Sequence, residues 1–189
     1  MVPVAMTPPA AEQPTQGRRV LLLTLLVFLL PILVGGGLYL SGWRPTATAN
    51  HGELIVPPRP VPVAALGSDV AGKWLLVVAG DGACTAECVA LATRVRSIQV
   101  SLNKEMLRVR RILFADGGDE ALDTLRTQQP DLVVRKPDAG WRALLEAGPR
   151  HRLFVVDPAG NLMMQYPPDA DAKDVRADLE RLLKFSWIG

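Results

Sequence analysis

The sequence predicts an α/β domain that follows a single apolar segment of membrane length. Two observations give this class. Short apolar runs of strand length alternate with segments of helical periodicity, and one long uncharged stretch precedes them all. Parallel strands joined by crossover helices account for such an alternation. With 189 residues, the chain has the length of one domain with an appendage.

The uncharged stretch covers residues 20–40, VLLLTLLVFLLPILVGGGLYL, and is long enough to cross the hydrocarbon core of a bilayer as a helix. We therefore predict a transmembrane helix over residues 20–43. The Pro- and Ala-rich residues 1–19 are predicted to form a cytoplasmic N-terminal tail.

Basic residues set the expected orientation of this helix. Arg18 and Arg19 precede the apolar stretch and Arg44 follows it, a small excess that favours a cytoplasmic N-terminus. The rest of the chain then lies outside the cytoplasm. A cleaved signal peptide is the alternative, because Ala47-Thr48-Ala49 resembles a cleavage site, although the apolar run is longer than a usual signal core.

A Pro-rich tether is predicted over residues 44–65, and within it the stretch GELIV can pair with a sheet edge. The folded domain is predicted over residues 66–189. Without residues 1–43 the chain has 21 − 2 = 19 basic and 19 − 1 = 18 acidic residues, and this near-neutral balance argues against a nucleic-acid partner. A local basic cluster is either a solvated face or a docking patch for an acidic partner: Arg94, Arg96, Lys104, Arg108, Arg110 and Arg111.

The folded part opens with a continuous apolar run, KWLLVVA, over residues 73–79. A run without alternation predicts a strand that is covered on both faces. Gly80-Asp81-Gly82 then makes a turn, and a helix follows. The apolar stripe of that helix has spacings of 4, 3, 4, 3 and 4 residues, which is helical periodicity: Cys84, Cys88, Leu91, Val95, Ile98 and Leu102.

The remaining elements continue the alternation. Strands are predicted over 109–115, 132–134, 152–156 and 161–166, and helices over 119–128 and 139–147. Asp157-Pro158-Ala159-Gly160 joins the last two strands as a tight turn. The final helix begins near Asp171, a residue type favoured at helix N-caps, and buries Val175, Leu179, Leu182 and Leu183. This order, with two cysteines opening the first helix of the domain, is the thioredoxin-like layout.

Cys84 and Cys88 are the only cysteines of the chain. We place Cys84 in the first turn of the helix, where the helix dipole and free N–H groups lower the pKa of its thiol. Cys88 lies one turn further along the same face, about 6 Å away between Cα atoms by helix geometry. This distance permits a reversible disulfide and also permits two thiolates to bind a soft metal such as Cu(I).

Three structural alternatives remain for the two cysteines. Cys88 shares the buried stripe and can be a small core hydrophobe. The pair can form a permanent disulfide, although closing so short a loop gains little chain entropy. The pair can also be the remnant of a former site.

Several motifs together resemble the SCO proteins, membrane-anchored thioredoxin-like factors that assist assembly of the copper A centre of cytochrome c oxidase. These are the anchor, the tether, GKWLLVV, the CxxxC spacing and the late LFVVDPAGNLM, and the resemblance covers roughly residues 50–189. It implies an SCO-type thioredoxin-like fold. It also implies that Cys84 and Cys88 bind copper and cycle between dithiol and disulfide.

The sequence departs from the SCO pattern at three positions. Thr85 and Val89 stand where SCO proteins usually carry prolines after each cysteine. The family's histidine ligand stands eleven residues before the glycine of the DPxG turn, a position held here by Pro149. His151, two residues later, is the candidate third ligand, because imidazole suits copper.

Two further candidates for metal binding are weaker. His51 lies in the predicted tether. Met163 and Met164 carry thioether sulfur, which also suits Cu(I), but their strand position predicts one core and one surface side chain.

These inferences give a first functional hypothesis, a bacterial inner-membrane protein with a periplasmic domain. It either delivers Cu(I) to the copper A site of cytochrome c oxidase subunit II, alone or with assembly factors, or reduces the cysteines of that site. Two alternatives stay open. One is a general thiol–disulfide reductase without metal, and the other is a non-catalytic docking module that uses the basic residues from Arg94 to Arg111.

Overall fold

The computed structural model describes residues 14–42, 50–116, 120–146 and 148–186. Two compact units divide the chain, residues 1–48 and residues 49–189. Most of the predicted cytoplasmic tail, the end of the predicted transmembrane segment and the candidate cleavage site at residues 47–49 lie outside the described residues.

The described part of the first unit is an apolar helix, α1 (Pro14–Leu40). Its segment Gly17–Leu40 is long and apolar enough to cross a membrane, and none of it is buried within the protein. A helix with apolar side chains all round, and no protein surface to cover them, is typical of a membrane span.

The second unit is built on a six-stranded sheet with the order β1-β6-β5-β2-β3-β4. The strands are β1 (Glu53–Pro60), β2 (Trp74–Ala79), β3 (Val109–Phe114), β4 (Val133–Arg135), β5 (Arg152–Val156) and β6 (Asn161–Tyr166). The helices of this unit are α2 (Ala86–Ser101), α3 (Glu120–Gln128), α4 (Ala139–Leu145) and α5 (Ala172–Phe185), with short 3₁₀ helices at Val63–Leu66 and Asn103–Arg108. The predicted thioredoxin-like α/β fold is confirmed, and most predicted strand and helix ends agree with the structure within one or two residues.

Strand β2 is the centre of the sheet, parallel to β3 and antiparallel to β5. All six of its residues are buried. Trp74, Leu76 and Val78 join the core under α2, α3 and α5. The alternate side chains join a second core under α4 on the opposite face. The apolar run lacks polar alternation because both faces of the strand are covered by helices.

The segment predicted as a tether contains part of the sheet. Residues 53–60 form edge strand β1, which pairs antiparallel with β6. The predicted pairing of GELIV with a sheet edge therefore occurs in the structure, and the strand is longer than this stretch. The prolines of β1 are tolerated because an edge strand needs ladder hydrogen bonds on one side only. The domain limits 1–19, 20–43, 44–65 and 66–189 stay predictions.

A buried carboxylate fixes the start of the domain to α5. Asp178 Oδ2 accepts hydrogen bonds from the main-chain N–H groups of His51 (2.8 Å) and Gly52 (2.9 Å) and from the Tyr166 hydroxyl (2.9 Å). Burial and the adjacent Asp178 charge raise the pKa of Tyr166, so its hydroxyl stays a donor. A Cβ on Gly52 would lie 2.5 Å from the Tyr166 ring, so only glycine fits where the chain enters the fold.

The basic cluster predicted between Arg94 and Arg111 does not form one solvated face. Arg111 is 1% exposed and donates to Gln99, Gln129 and Asp131. Partial burial opposes ionisation of Asp131, but the hydrogen bond and charge of Arg111 outweigh it and lower the pKa of Asp131. Arg94 donates to main-chain carbonyls in the loop before α5. These two arginines therefore stabilise the fold, and the prediction that they belong to a basic docking face is wrong.

Replacing Arg111 by methionine tests this assignment. We expect the free energy of unfolding to fall by about 3 kcal/mol or more, because the partners of a buried guanidinium are left without a donor. Urea unfolding of the full chain in detergent, followed by tryptophan fluorescence, measures the change. The matched control is Arg110→Met on the opposite face of β3, for which we expect a change below about 1 kcal/mol. Equal losses in the two variants would contradict a structural role specific to Arg111.

Candidate functional site

The cysteines lie at the carboxyl end of β2, where the chain turns into α2. The helix begins at Ala86 with Thr85 as N-cap, so Cys84 precedes the helix and Cys88 lies in its first turn. Cys84 was predicted inside the first turn, and this placement is wrong by two residues. The helix starts later because the backbone of Thr85 is extended. The Thr85 side chain makes no capping hydrogen bond, so it does not serve as an acceptor for the N–H groups of the first turn.

Cys84 and Cys88 form a disulfide with a Cα–Cα distance of 5.2 Å. Both side chains pack into the core cluster under α2. Cys84 is 4% exposed and Cys88 is fully buried. Cys84 is therefore the more accessible cysteine, as expected, but the difference in exposure is small. The bond joins the loop after β2 to the first turn of α2.

An open groove of about 790 Å³ lies beside this disulfide. One side is formed by Asp81 and by residues just before α2 and in its first turns, which include Cys88 but not Cys84. The other side is formed by Pro149, Arg150 and His151, before β5, with further contributions from Arg94 and from the loop before α5. The structure therefore brings Cys88 and His151, which are 63 positions apart in the sequence, to a common surface.

His151 is buried and its two ring nitrogens differ in their surroundings. The ring forms a hydrogen bond with the main chain of Phe114. Nε2 is buried and has no hydrogen-bond partner among the described residues. In a neutral imidazole, the hydrogen bond made by one ring nitrogen decides which nitrogen keeps a lone pair for a metal ion. Such a second hydrogen bond is the usual way in which a protein orients a metal-binding histidine.

The position of His151 depends on a glycine at the end of β2. A Cβ on Gly80 would lie 2.7 Å from both the main-chain N and Cα of His151. Any larger residue at position 80 would therefore displace the histidine. In the turn after Gly80, the main-chain N–H of Asp81 donates to the Gly148 carbonyl at 2.8 Å, which ties the loop of the cysteines to the loop of His151.

The disulfide form is not itself a metal site. In the described ranges, no group of three or more His, Cys, Asp or Glu side chains is placed to hold a metal ion. The two sulfur atoms are bonded to each other, and a thiolate is the form of cysteine that binds metals. Two thiolates and a neutral imidazole form a donor set that suits Cu(I), so the residues present fit this ion only after reduction.

The other candidate residues lie elsewhere. His51 is at α5, with its Nδ1 3.6 Å from Asp174 Oδ1. Met164 is buried in the core and Met163 packs against it half-buried. None of these three side chains lines the groove. Pro149, which holds the position of the SCO histidine, does line it beside His151.

Sequence reasoning missed an ion pair at the groove. Glu87 lies between the two cysteines and Arg150 lies next to His151, and their charged atoms are 3.4 Å apart. Both side chains are exposed, so the pair contributes little to stability. No local spacing predicts it, because the contact exists only once β2 and β5 are paired.

The fold and the site define a thioredoxin-like domain with a CxxxC disulfide, preceded by an apolar helix of membrane length. The chain belongs to the family described as transmembrane-like, thioredoxin-like, C-terminal domain, whose sequence model matches residues 74–186. No curated protein matches the sequence.

Solved structures show the same fold. Apo Sco1 from Thermus thermophilus is 19% identical, with 73% of this chain and 99% of that chain covered and a TM-score of 0.54. Yeast Sco1 with copper bound is 11% identical, with 72% and 90% covered and a TM-score of 0.50. The predicted SCO-type fold is thus confirmed at the level of the fold.

The environment of His151 predicts a pH dependence of stability. Burial lowers the pKa of His151 below 6.5, against the opposing effects of the Phe114 hydrogen bond and the Asp81 charge. The unfolded chain binds this proton more readily, so the free energy of unfolding should fall as the pH decreases below about 6.5 and level off below the folded pKa. Urea unfolding of the metal-free chain between pH 5 and 7.5 measures it. His151→Gln should remove this component and His51→Gln should keep it. An unchanged profile in His151→Gln would contradict the prediction.

Proposed function

We propose that this chain is a membrane-anchored thiol–disulfide redox protein that serves assembly of the copper A centre of cytochrome c oxidase. The observation that carries the proposal is the Cys84–Cys88 disulfide at the start of α2, beside an open groove. Neighbouring thiols that close a disulfide bond can store and release two electrons. The proposed targets are subunit II of the oxidase or its assembly factors, and this choice follows the resemblance of the sequence to SCO proteins.

The proposed location is the inner, cytoplasmic membrane of a bacterium, with the domain in the periplasm. Helix α1 has the length and composition of a membrane anchor. Arg18 and Arg19 before it favour a cytoplasmic N-terminus. A disulfide is also more readily maintained in the periplasm than in the cytoplasm.

The reaction passes two electrons from this chain to a target disulfide. The Cys84 thiolate attacks one sulfur of the target, and the target's other sulfur leaves as a thiolate. Cys88 then attacks the Cys84 sulfur of the mixed disulfide. The target departs as a dithiol and this chain returns to the Cys84–Cys88 disulfide. A dithiol protein must reduce it before the next cycle.

Cys84 is proposed as the attacking residue for two reasons. Of the two cysteines, Cys84 is the one whose side chain is partly exposed, at 4%. It also precedes the N-terminus of α2, where the helix dipole and first-turn N–H groups stabilise a thiolate. Cys88, bonded to Cys84 in the disulfide, is proposed to resolve the mixed disulfide.

A second candidate function, delivery of Cu(I) to the same oxidase site, is favoured by the state of His151. Its Nε2 is buried without a hydrogen-bond partner among the described residues, and His151 borders the same groove as Cys88. In the reduced chain, Cys84, Cys88 and His151 would hold Cu(I) as cargo. Reduction would open the site and oxidation would close it.

Substitution of each cysteine separates their proposed roles. Cys88→Ser should accumulate a mixed disulfide between Cys84 and its target, because the resolving thiol is missing. Cys84→Ser should form no such adduct, and both variants should lose copper A loading. Non-reducing electrophoresis of membranes and the copper A absorption band of the oxidase give the two readouts. Immunoblots that show equal levels of the variants in membranes are the control.

Each result has a distinct meaning. Normal copper A loading in Cys84→Ser would refute both redox and copper candidates. Reduction of insulin by the purified wild-type chain, with no copper retained after dialysis, would instead select the general reductase.

The copper candidate predicts a ligand role for His151. The reduced full chain in detergent should bind one Cu(I), and His151→Ala should weaken its affinity about tenfold or more. Competition with a colourimetric Cu(I) chelator measures the affinity. His51→Ala is the matched control and should bind like the wild type. Equal affinities of His151→Ala and wild type would exclude His151 as a ligand.

A further inference from the structure

Exposed apolar side chains gather at the end of the domain where α2 and α5 finish. Val100 is 52% exposed, Leu107 68% and Phe185 73%. In the described part of the domain, the other large apolar side chains with comparable exposure are Leu54 and Val56, on edge strand β1. We refer to Val100, Leu107 and Phe185 as the terminal patch.

Hydrogen bonds of Arg108 join the segment that carries Leu107 to the end of α5, which carries Phe185. The Arg108 guanidinium donates to the main-chain carbonyls of Leu183 (3.1 Å) and Ser186 (2.7 Å). Leu107 precedes this arginine, and Phe185 lies between its two acceptors. The same Arg108 lines a cavity of about 370 Å³ with Leu102, two residues after Val100.

The charges around the terminal patch favour an anionic partner. Lys104 is exposed, and Lys184 Nζ lies 5.8 Å from the centre of the Phe185 ring. The nearby carboxylates are held in ion pairs within the domain, Glu105 with Arg108 (2.7 Å) and Glu180 with Arg176 (2.7 Å). Neutralised carboxylates oppose an anionic surface less than free ones.

We propose that the terminal patch docks on the surface of an anionic lipid bilayer. Exposed apolar side chains, one of them aromatic, with lysines beside them, are the features that bind the interfacial region of such a bilayer. The inference rests on the membrane anchor of the proposed function and uses neither its thiol nor its copper chemistry.

The connection to the anchor keeps a bilayer within reach. Gly52 lies twelve positions after Leu40 at the end of α1, a length of chain that can span at most about 40 Å. Gly52 is bonded to Asp178 in α5. Asp178 precedes Phe185 by seven residues, about 10 Å along a helix.

Docking would set the distance between the cysteine site and the lipid surface. The sixteen residues of α2 run from the Cys84–Cys88 disulfide to Val100 in its last turn, a length of about 24 Å. A domain that rests on its terminal patch would present the groove up to this distance above the lipid, toward the exterior part of a membrane-bound target.

Spin-label accessibility of the full chain tests the proposal. In a Cys84→Ser, Cys88→Ser background, a nitroxide is attached at Leu107→Cys or, as a reference at the groove, at Asp169→Cys. The chain is reconstituted into vesicles of equal phosphatidylglycerol and phosphatidylcholine. For each label we compare its accessibility to oxygen with its accessibility to a water-soluble nickel complex. We expect the ratio of oxygen to nickel accessibility to be several-fold higher at position 107 than at position 169.

Charge reversal tests the anionic lipid. Lys104→Glu with Lys184→Glu should lower the ratio at position 107 to that at position 169. The matched control reverses two exposed lysines elsewhere, Lys136→Glu with Lys173→Glu, and should leave the ratio high.

Three results would overturn the proposal. The first is an equal accessibility ratio at positions 107 and 169. The second is a label at position 107 that is shielded from both reagents, as expected if the patch contacts a second copy of the protein. The third is a ratio at position 107 that stays high after charge reversal of Lys104 and Lys184. Release of the chain from vesicles by alkaline carbonate would refute the membrane anchor itself. A chain that is retained but has a water-exposed label would refute only the docking, so the two failures are distinguishable.

Discussion

Burial of strand β2 on both faces is the constraint on which the rest of this structure depends. Its six side chains alternate between two cores, and each large apolar side chain contributes about 1.5–3 kcal/mol on burial. A strand in this position needs helices on both sides of the sheet and neighbours on both edges. The residues that follow its carboxyl end are therefore held at a fixed place in the domain.

The candidate site uses that fixed place. Directly after β2 come Gly80, which leaves room for His151, and then the loop and helix that carry the two cysteines. His151 is brought there by the antiparallel pairing of β5 with β2, in which Ala79 lies opposite Arg152. One side of the groove is thus formed by residues local in sequence, and the other side by a pairing of distant strands. The chemistry proposed for the groove needs both sides.

A second fixed point lies at the start of the domain. Asp178 in α5 binds two main-chain N–H groups of the segment that leads in from the apolar helix, and the ring of Tyr166 leaves space for glycine alone at position 52. Helix α5 thus receives the incoming chain near its middle and carries Phe185 at its end. The same helix connects the entry of the tether with the surface that we propose to rest on lipid.

The sequence by itself determined the order of the elements, the central strand, the turn at 157–160 and the N-cap at Asp171, because these depend on local periodicity and on residue types with strong backbone preferences. It also placed Cys84 and Cys88 within disulfide distance, because only three residues separate them, although Cys84 lies before the helix and not in its first turn. Only the tertiary structure decided that residues 53–60 belong to the sheet and that Arg111 is a core residue. It also decided that His151 borders the groove of Cys88, with an Nε2 that has no hydrogen-bond partner in the part of the chain that the structure describes. Those features arise from contacts between distant segments, and no local spacing encodes which strands pair or which polar side chain finds its partners inside the core.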